Sequence, residues 1–164
     1  MCVGLAAGGY YGSYGAAGKL LCMPEQPQYD SVAAGVQSNR NRVYSVEYRT
    51  SDFPALASKN YHDVPCAVCS VSNRGREMML PALKTCPGGW TREYNGYLMG
   101  QRYANKAGAD LICLDRSPEL VPGSGSGQNS ARIYPVEGRC ESDENFPCAP
   151  YVDGNELTCV VCTK

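Results

Sequence analysis

Ten cysteines are the residues of this chain whose type and spacing could carry the most chemistry. Four of them form two Cys-X-X-Cys pairs, Cys66 with Cys69 and Cys159 with Cys162. A zinc site would need both thiolates of a pair to converge on one ion, usually from a tight turn. The intervening alanine and valines favour extended backbone, in which residues three apart point to opposite faces. The sequence therefore favours structural disulfides over zinc or a redox dithiol, and we expect no metal. The candidate disulfide cysteines are Cys2, Cys22, Cys66, Cys69, Cys86, Cys113, Cys140, Cys148, Cys159 and Cys162.

No catalytic constellation accompanies the cysteines. His62 is the single histidine, and no Gly-X-Ser-X-Gly elbow supplies the activated serine that it would need. Its neighbour Asp63 is adjacent in sequence, a spacing that rarely lets one side chain orient the other in a strand. Glu47 and Glu137 are more typical of salt-bridged or exposed strand residues than of reactive ones. We expect a protein that is not an enzyme, with His62 either in a polar loop or in a ligand site.

Length and charge exclude several classes of function. The chain has 164 residues and a net charge of −1, so no basic field points to nucleic acid. No apolar run approaches the roughly 18 residues of a membrane helix.

Ten cysteines are typical of a secreted protein. The opening residues lack the pattern of a signal peptide, so we expect that the signal has been removed or that the chain is part of a longer one.

The chain repeats itself. The segment RVYSVEYRT matches RIYPVEGRC, LLCMPEQPQ matches LICLDRSPE, and VPCAVC matches LTCVVC, in one order. These matches predict a tandem duplication within a single domain. Repeat symmetry suggests that Cys2 pairs with Cys22 and Cys86 with Cys113, and it leaves the other pairings open. The predicted ranges are 1–164 for the domain, 1–70 and 85–164 for the repeats, and 71–84 for the connector.

Alternation and turn residues predict strands. In VYSVEY, Tyr44, Val46 and Tyr48 fall on one face of a predicted strand. The glycine period of GGYYGSYGAAGKLLC is absent from its repeat mate, so it does not indicate collagen. The segment 121–130, VPGSGSGQNS, has the composition of a flexible loop. REMMLPALK is the only helix candidate, and Pro81 weakens it. We predict an all-β, internally duplicated, pseudo-two-fold, disulfide-stapled domain of short antiparallel strands.

Tyrosine is unusually frequent, with 12 residues against two phenylalanines and one tryptophan. Its apolar face and polar tip suit the C–H surface of a sugar or the flat polyene of a pigment. Tyrosines also fill small β cores where glycine leaves room, and that interpretation stays open. The clusters are Tyr10, Tyr11 and Tyr14 in the first half and Tyr94, Tyr97 and Tyr103 in the second.

Four motifs carry a family resemblance. They are NYHDVPCAVC (60–69), TCPGGWTREYNGYLMG (85–100), YPVEGRC (134–140) and YVDGNELTCVVCTK (151–164). Together they resemble a family of secreted invertebrate proteins that includes galactose-binding lectins of axinellid sponges. The same family includes the non-collagenous domain of short-chain, spongin-type sponge collagens. First halves in this family usually carry a Thr-Cys-Pro segment, which this chain lacks before Cys2.

The resemblance implies a secreted protein that binds galactose-type sugars on a carbohydrate or glycoprotein, as a homo- or hetero-oligomer that gains avidity. The family often has arginine where this chain has Asn155, which implies altered binding here. Two alternatives stay open: a matrix or assembly module without a small ligand, and a carrier of a carotenoid, suggested by tyrosine and by Met78, Met79 and Met99. Otherwise we expect no cofactor. The expected sugar-binding residues are Asn60, Tyr61, His62, Asp63, Tyr151, Asp153, Asn155 and Glu156.

Overall fold

A computed structural model of the chain describes residues 2–16, 18–31, 33–127, 131–140 and 147–164. The predicted all-β class is confirmed: the regular structure of these residues consists of nine strands and one short 3₁₀ helix, Ala57–Lys59. No helix among them is long and apolar enough to cross a membrane. The strands are β1 (Cys2–Gly8), β2 (Leu21–Pro24), β3 (Tyr44–Tyr48), β4 (Pro65–Val68), β5 (Glu77–Pro81), β6 (Thr91–Gly100), β7 (Ile112–Asp115), β8 (Ala131–Pro135) and β9 (Thr158–Thr163).

The chain divides into two compact units. Unit 1 combines Met1–Ser70 with two later segments, Gln101–Asp110 and Glu119–Ile133. Unit 2 holds the remainder, so its strands are β5, β6, β7, β9 and the end of β8. The second half of the sequence therefore contributes two segments to unit 1, one of which contains the glycine-rich loop after residue 120.

Unit 1 is built around β1, which pairs antiparallel with β2, β3 and β4. Strand β3 also pairs with β8, and this pairing is parallel, unlike the others among the described strands. Val46 and Tyr48 of β3 are buried together with Ile133 of β8, as the alternation predicts. Glu47, on the opposite face of β3, is buried as well, so both faces of this strand are covered.

Unit 2 is built around β6, which pairs antiparallel with β7, β8 and β9. Strand β9 pairs with β5 on its other side, and its Val160 and Cys162 are fully buried. The weak helix candidate REMMLPALK is therefore wrong: its first half is β5, and Pro81 stands at the end of that strand. Pairing with β9 along Glu77–Pro81 overrides the local helical preference of the methionines.

One glycine in each unit lets a neighbouring strand come close. A Cβ on Gly4 of β1 would lie 1.8 Å from the carbonyl oxygen of Met23 in β2. A Cβ on Gly96 of β6 would lie 1.8 Å from the carbonyl oxygen of Leu114 in β7. No side chain fits at such a distance, so both positions require glycine.

Two disulfides differ from the predicted pairs. Cys22 is bonded to Cys66, not to Cys2, and Cys113 is bonded to Cys159, not to Cys86. Each bond joins two strands that flank the same glycine-containing strand, which repeat symmetry alone could not specify. The four disulfides are Cys22–Cys66, Cys86–Cys162, Cys113–Cys159 and Cys140–Cys148.

The second Cys-X-X-Cys pair has the diverging sulfurs that extended backbone predicts. Cys159 and Cys162 are bonded to different partners, Cys113 and Cys86, so their sulfurs diverge. In the first pair, Cys66 is bonded and Cys69 is a free, exposed thiol, which corrects the expectation that all ten cysteines are disulfide-bonded. The side chain of Cys2 lies outside the described part of the structure.

Several hydrogen bonds in the two units have the same pattern. The Asn60 side-chain oxygen accepts from the Thr50 N–H at 3.1 Å, and that of Asp153 accepts from the Cys140 N–H at 2.8 Å. The hydrogen bonds Tyr48 N–H to His62 O and Gly138 N–H to Asn155 O correspond in the same way. The internal duplication itself remains a prediction, with which these contacts are compatible.

Candidate functional site

A pair of carboxylates from adjacent backbone segments defines the candidate site in unit 1. Glu47 of β3 and Asp63 face each other across an isolated antiparallel bridge. Hydrogen bonds of 2.9 Å from the Tyr48 N–H to His62 O and from the Tyr61 N–H to Tyr48 O hold the two segments in register. Directly opposed residues present their side chains on the same face, so both carboxylates point to one side of the bridge.

The charge of Glu47 is compensated inside the site. Its side chain is only 1% exposed, and its Oε2 accepts a hydrogen bond of 2.7 Å from Arg49 Nη2. The same guanidinium lies over the ring of Tyr61, with 4.5 Å between Arg49 Cζ and the ring centre. Arg49 therefore pairs with a buried carboxylate and also positions an aromatic face.

Asp63 is half-buried, so its carboxylate is less hydrated than one on the surface. Burial raises the pKa of Asp63 above its ordinary value, and a hydrogen bond with Ser45 and the nearby His62 oppose that rise. Because Glu47 is paired with Arg49, Asp63 is the carboxylate better placed to accept hydrogen bonds from a ligand.

The segment 121–126 forms a wall beside these two carboxylates. It is anchored on Asp63 by two hydrogen bonds: the Asp63 N–H donates to Ser124 Oγ at 3.0 Å, and the Val121 N–H donates to Asp63 O at 3.2 Å. The Ser124 hydroxyl donates to Val121 O at 2.7 Å, which closes a turn. The part of the predicted flexible loop 121–130 that lies within the described residues is thus tied to the site.

Tyr48 fixes the start of the same segment. Its ring is buried, and its hydroxyl donates a hydrogen bond of 3.0 Å to the carbonyl oxygen of Glu119. Burial raises the pKa of Tyr48 well above the usual tyrosine value, so the hydroxyl stays protonated and remains a donor.

These groups enclose a cavity of about 310 Å³, which we call the Glu47–Asp63 pocket. Its size is at the lower end of the range for small-molecule sites and suits a single sugar ring. It combines carboxylates, serine hydroxyls and backbone polar groups with one aromatic ring. The lining residues are Glu47, Tyr61, Asp63, Val121, Pro122, Gly123, Ser124, Gly125 and Ser126.

Tyr61, one of the lining residues, has an unusual backbone conformation. Its φ is +68°, in the left-handed region that tyrosine rarely adopts, and its side chain is 45% exposed. The predicted duplication places Gly154, with φ of +74°, at the corresponding position of the second half. Unit 1 therefore carries a large aromatic side chain where glycine would be the unstrained choice, a cost that is typical of functional sites.

The other expected residues of the first half lie beside the pocket. The Asn60 side-chain oxygen accepts a hydrogen bond from the Thr50 N–H, and the NH₂ group of Asn60 can still donate to other groups. His62 Nδ1 lies 3.1 Å from Asn60 O, and its ring packs against the backbone at Gly125. Both residues shape the turn that presents Tyr61 and Asp63.

In unit 2, the expected residues group around a similar bridge, between Glu137 and Glu156. Asp153 Oδ1 accepts from the Cys140 N–H at 2.8 Å and from Arg139 Nε at 3.0 Å, so this carboxylate organises the turn. Asn155 and Glu156 are exposed to solvent. Tyr151 is half-buried and lies near Gly138.

The sequence interpretation missed Glu47, Arg49 and Ser124 as site residues. The repeat pairs Glu47 with Glu137, which is a signal, but the expectation for both was a salt-bridged or exposed strand residue. Glu47 does form a salt bridge, and the cavity beside it depends on a segment more than 70 residues further along the chain. Among the described residues, no group of three or more histidine, cysteine, aspartate or glutamate side chains could hold a metal ion.

No protein-family model, curated protein or solved structure matches this chain.

Proposed function

We propose that this protein is an extracellular carbohydrate-binding protein and that it binds a galactose-type sugar in the Glu47–Asp63 pocket. The observation that carries the proposal is the pocket itself: two opposed carboxylates, a strained and exposed tyrosine ring, and a serine-rich wall enclose about 310 Å³. Sugars present vicinal hydroxyls at their edge and C–H groups on one face, and this pocket offers a partner to each.

The polar side of the pocket suits hydroxyl recognition. A carboxylate accepts two or more hydrogen bonds, so Asp63 can take a pair of vicinal hydroxyls while Glu47 stays paired with Arg49. A hydrogen bond to a charged group contributes about 1.5–3 kcal/mol. Asp63 would therefore supply a large share of the affinity of one site.

The apolar side is the Tyr61 ring. The Arg49 guanidinium at 4.5 Å from the ring centre limits its motion, so the ring is preorganised. An aromatic face of this kind packs against the C–H surface of a pyranose. Tyr61 lines the pocket with its backbone in the left-handed region, and a role in sugar binding would give a reason for the strain at this position.

The bridge between Glu137 and Glu156 is the counterpart in unit 2, and we propose a second, weaker site there. Gly154 supplies no ring at the place of Tyr61, so the second site would depend on Tyr151, Asn155 and Glu156 alone. With modest affinity per site, oligomerisation would supply the avidity that agglutination requires.

The extracellular location rests on the cysteines. Four disulfides, three of which link segments more than 40 residues apart, are typical of proteins from oxidising compartments. The motif resemblance to sponge lectins and spongin-type collagen domains supports the same location and the same class of ligand.

The test is retention on immobilised galactose, combined with an absorption spectrum of the purified protein. We expect a colourless protein that is retained, is eluted by free galactose, and agglutinates cells reversibly. The double variant Asp63→Ala with Glu156→Ala should lose both properties, while Asp52→Asn, an exposed carboxylate in unit 1, should keep them.

Two other outcomes would replace the proposal. A protein with a visible absorption band and no retention would be a pigment carrier, with the tyrosine clusters as its pocket. A colourless protein that is neither retained nor agglutinating would be a matrix or assembly module. Unchanged agglutination by the double variant would contradict the assignment of both proposed sites.

A further inference from the structure

A second and larger cleft lies in unit 1, formed by residues that the proposed sugar site does not use. Its volume is about 570 Å³. The walls are the loop after β1, the loop before β3 and the first residue of β3. The lining residues are Tyr10, Ser13, Gly15, Ala16, Ser38, Asn39, Arg40, Asn41, Arg42 and Tyr44.

One wall is aromatic. The rings of Tyr10 and Tyr44 lie with centres 5.6 Å apart, and Tyr11 packs against Tyr10 at 4.7 Å. The guanidinium of Arg132 lies 3.6 Å from the centre of the Tyr11 ring, and its Nε is buried without a hydrogen-bond partner. A hydrogen bond with Tyr11 raises the pKa of Tyr10, so its hydroxyl stays protonated at neutral pH.

The opposite wall is cationic and rich in amides. Its sequence, Ser38-Asn39-Arg40-Asn41-Arg42, alternates amide and guanidinium groups in an exposed loop. No acidic residue lines the cleft, and no ion pair to Arg40 or Arg42 occurs among the described residues. The side chains of Lys106 and Arg132 bring further positive charge over the rings of Tyr14 and Tyr11, of which Tyr11 packs against Tyr10.

We propose that this cleft binds an anionic saccharide, with Arg40 and Arg42 on its sulfate or carboxylate groups and Tyr10 and Tyr44 against its rings. Guanidinium groups form planar, paired hydrogen bonds with both kinds of anion. Asn39, Asn41 and Ser38 supply the neutral donors and acceptors that hydroxyls need. Arg40 and Arg42 line the cleft together with the aromatic rings of Tyr10 and Tyr44, a combination that favours a sugar over a simple counterion.

The cleft volume supports more than one sugar ring. At about 570 Å³ against about 310 Å³, it is nearly twice as large as the Glu47–Asp63 pocket. It shares no lining residue with that pocket, so the two sites can be tested separately. This inference does not depend on galactose binding.

The experiment measures binding of three oligosaccharide probes of equal length to the full chain. One is sulfated and contains uronic acids, one is the same chain without sulfate, and one is neutral. A single-stranded oligonucleotide of matched charge is the fourth probe. Binding of either anionic saccharide, weakened by added salt and absent for the neutral chain, is expected and identifies which anion is used.

The matched variants are Arg40→Gln with Arg42→Gln, and Lys19→Gln with Arg102→Gln, which removes two exposed cations of unit 1 outside the cleft. The first should weaken binding at least about tenfold, because one charge-assisted hydrogen bond alone corresponds to that change. The second should bind like the wild type. Arg40→Lys with Arg42→Lys should bind with intermediate affinity, since it keeps the charge and loses the paired geometry.

Three results would overturn the inference: equal binding of the neutral chain, equal or tighter binding of the oligonucleotide, or equal weakening by the control pair. Retention on immobilised galactose is measured for each variant alongside. It should be unchanged in the arginine variants, which separates a failure of this cleft from a failure of the Glu47–Asp63 pocket.

Discussion

Glu47 and Asp63 face each other across an antiparallel bridge, yet their carboxylates have different electrostatic environments. Glu47 is buried and paired with Arg49 at 2.7 Å, whereas Asp63 is half-buried and its pKa is raised by desolvation. The pair thus consists of one compensated carboxylate that organises the site and one carboxylate that can receive a ligand.

The raised pKa of Asp63 predicts opposite pH effects on stability and on sugar binding. The folded state holds this proton more tightly than the unfolded state, so its contribution to the free energy of unfolding is largest at low pH. That contribution falls as the pH rises through the raised pKa. Sugar affinity should change the other way, because only the carboxylate accepts two hydroxyl hydrogen bonds.

The measurement is galactose affinity and thermal unfolding of wild type and Asp63→Asn between about pH 3 and pH 7, around the ordinary aspartate pKa. Wild-type affinity should decline on the acid side of that interval, and the variant should be weak and nearly independent of pH. A variant with the same pH profile as the wild type would show that another group titrates.

Tyr61→Gly should separate function from stability. Glycine adopts a φ of +68° without strain, so the variant should unfold at the same temperature as the wild type or slightly above it. It also removes the ring that packs against the sugar, so affinity should fall. Gly154→Ala is the counterpart: it places a Cβ at φ of +74° and should cost about 1 kcal/mol.

Thermal unfolding and galactose titration of both variants check this prediction. A large loss of stability in Tyr61→Gly would mean that the ring is needed for packing. Unchanged affinity would mean that it does not contact the sugar.

Gly4→Ala and Gly96→Ala should each destabilise the protein by about 1–3 kcal/mol or more, the range for overpacking. In both, the new Cβ would lie 1.8 Å from a backbone carbonyl oxygen, so a strand must move. Gly15→Ala and Gly88→Ala are matched controls, because a Cβ at either position meets no atom within 4 Å. Denaturant unfolding compares the four variants, and equal stabilities would contradict the close strand approach.

The disulfide pattern predicts the products of a non-reducing digest. Peptides should be linked as Cys22–Cys66, Cys86–Cys162, Cys113–Cys159 and Cys140–Cys148. Cys69 should react with a maleimide in the native protein, since its thiol is free and exposed. Mass spectrometry of the digest would contradict the fold if it found Cys22 linked to Cys2 or Cys86 linked to Cys113.

The sequence predicted what depends on local pattern. Alternation in VYSVEY correctly predicted a strand, and the valines of the second Cys-X-X-Cys pair correctly indicated diverging sulfurs. The disulfide partners were beyond this reasoning because they depend on which strands pair on either side of β1 and β6, and that pairing is non-local.

The candidate site shows the same division. Tyr61 and Asp63 were expected from their type and motif, and both line the pocket. The burial of Glu47 was not expected, and the segment that lines the pocket with it, residues 121–126, is distant in sequence and anchored through Ser124. Contacts with a segment so distant in sequence produce no periodic pattern around Glu47 from which they could be predicted.

The most direct test of the proposed function is calorimetric titration of galactose into three proteins: wild type, Asp63→Asn and the control Asp52→Asn. We predict saturable binding to wild type and control, and at least about tenfold weaker binding to Asp63→Asn, as expected for the loss of a hydrogen bond to a charged group. No binding to the wild type, or equal binding to all three, would contradict the assignment of the Glu47–Asp63 pocket as a sugar site.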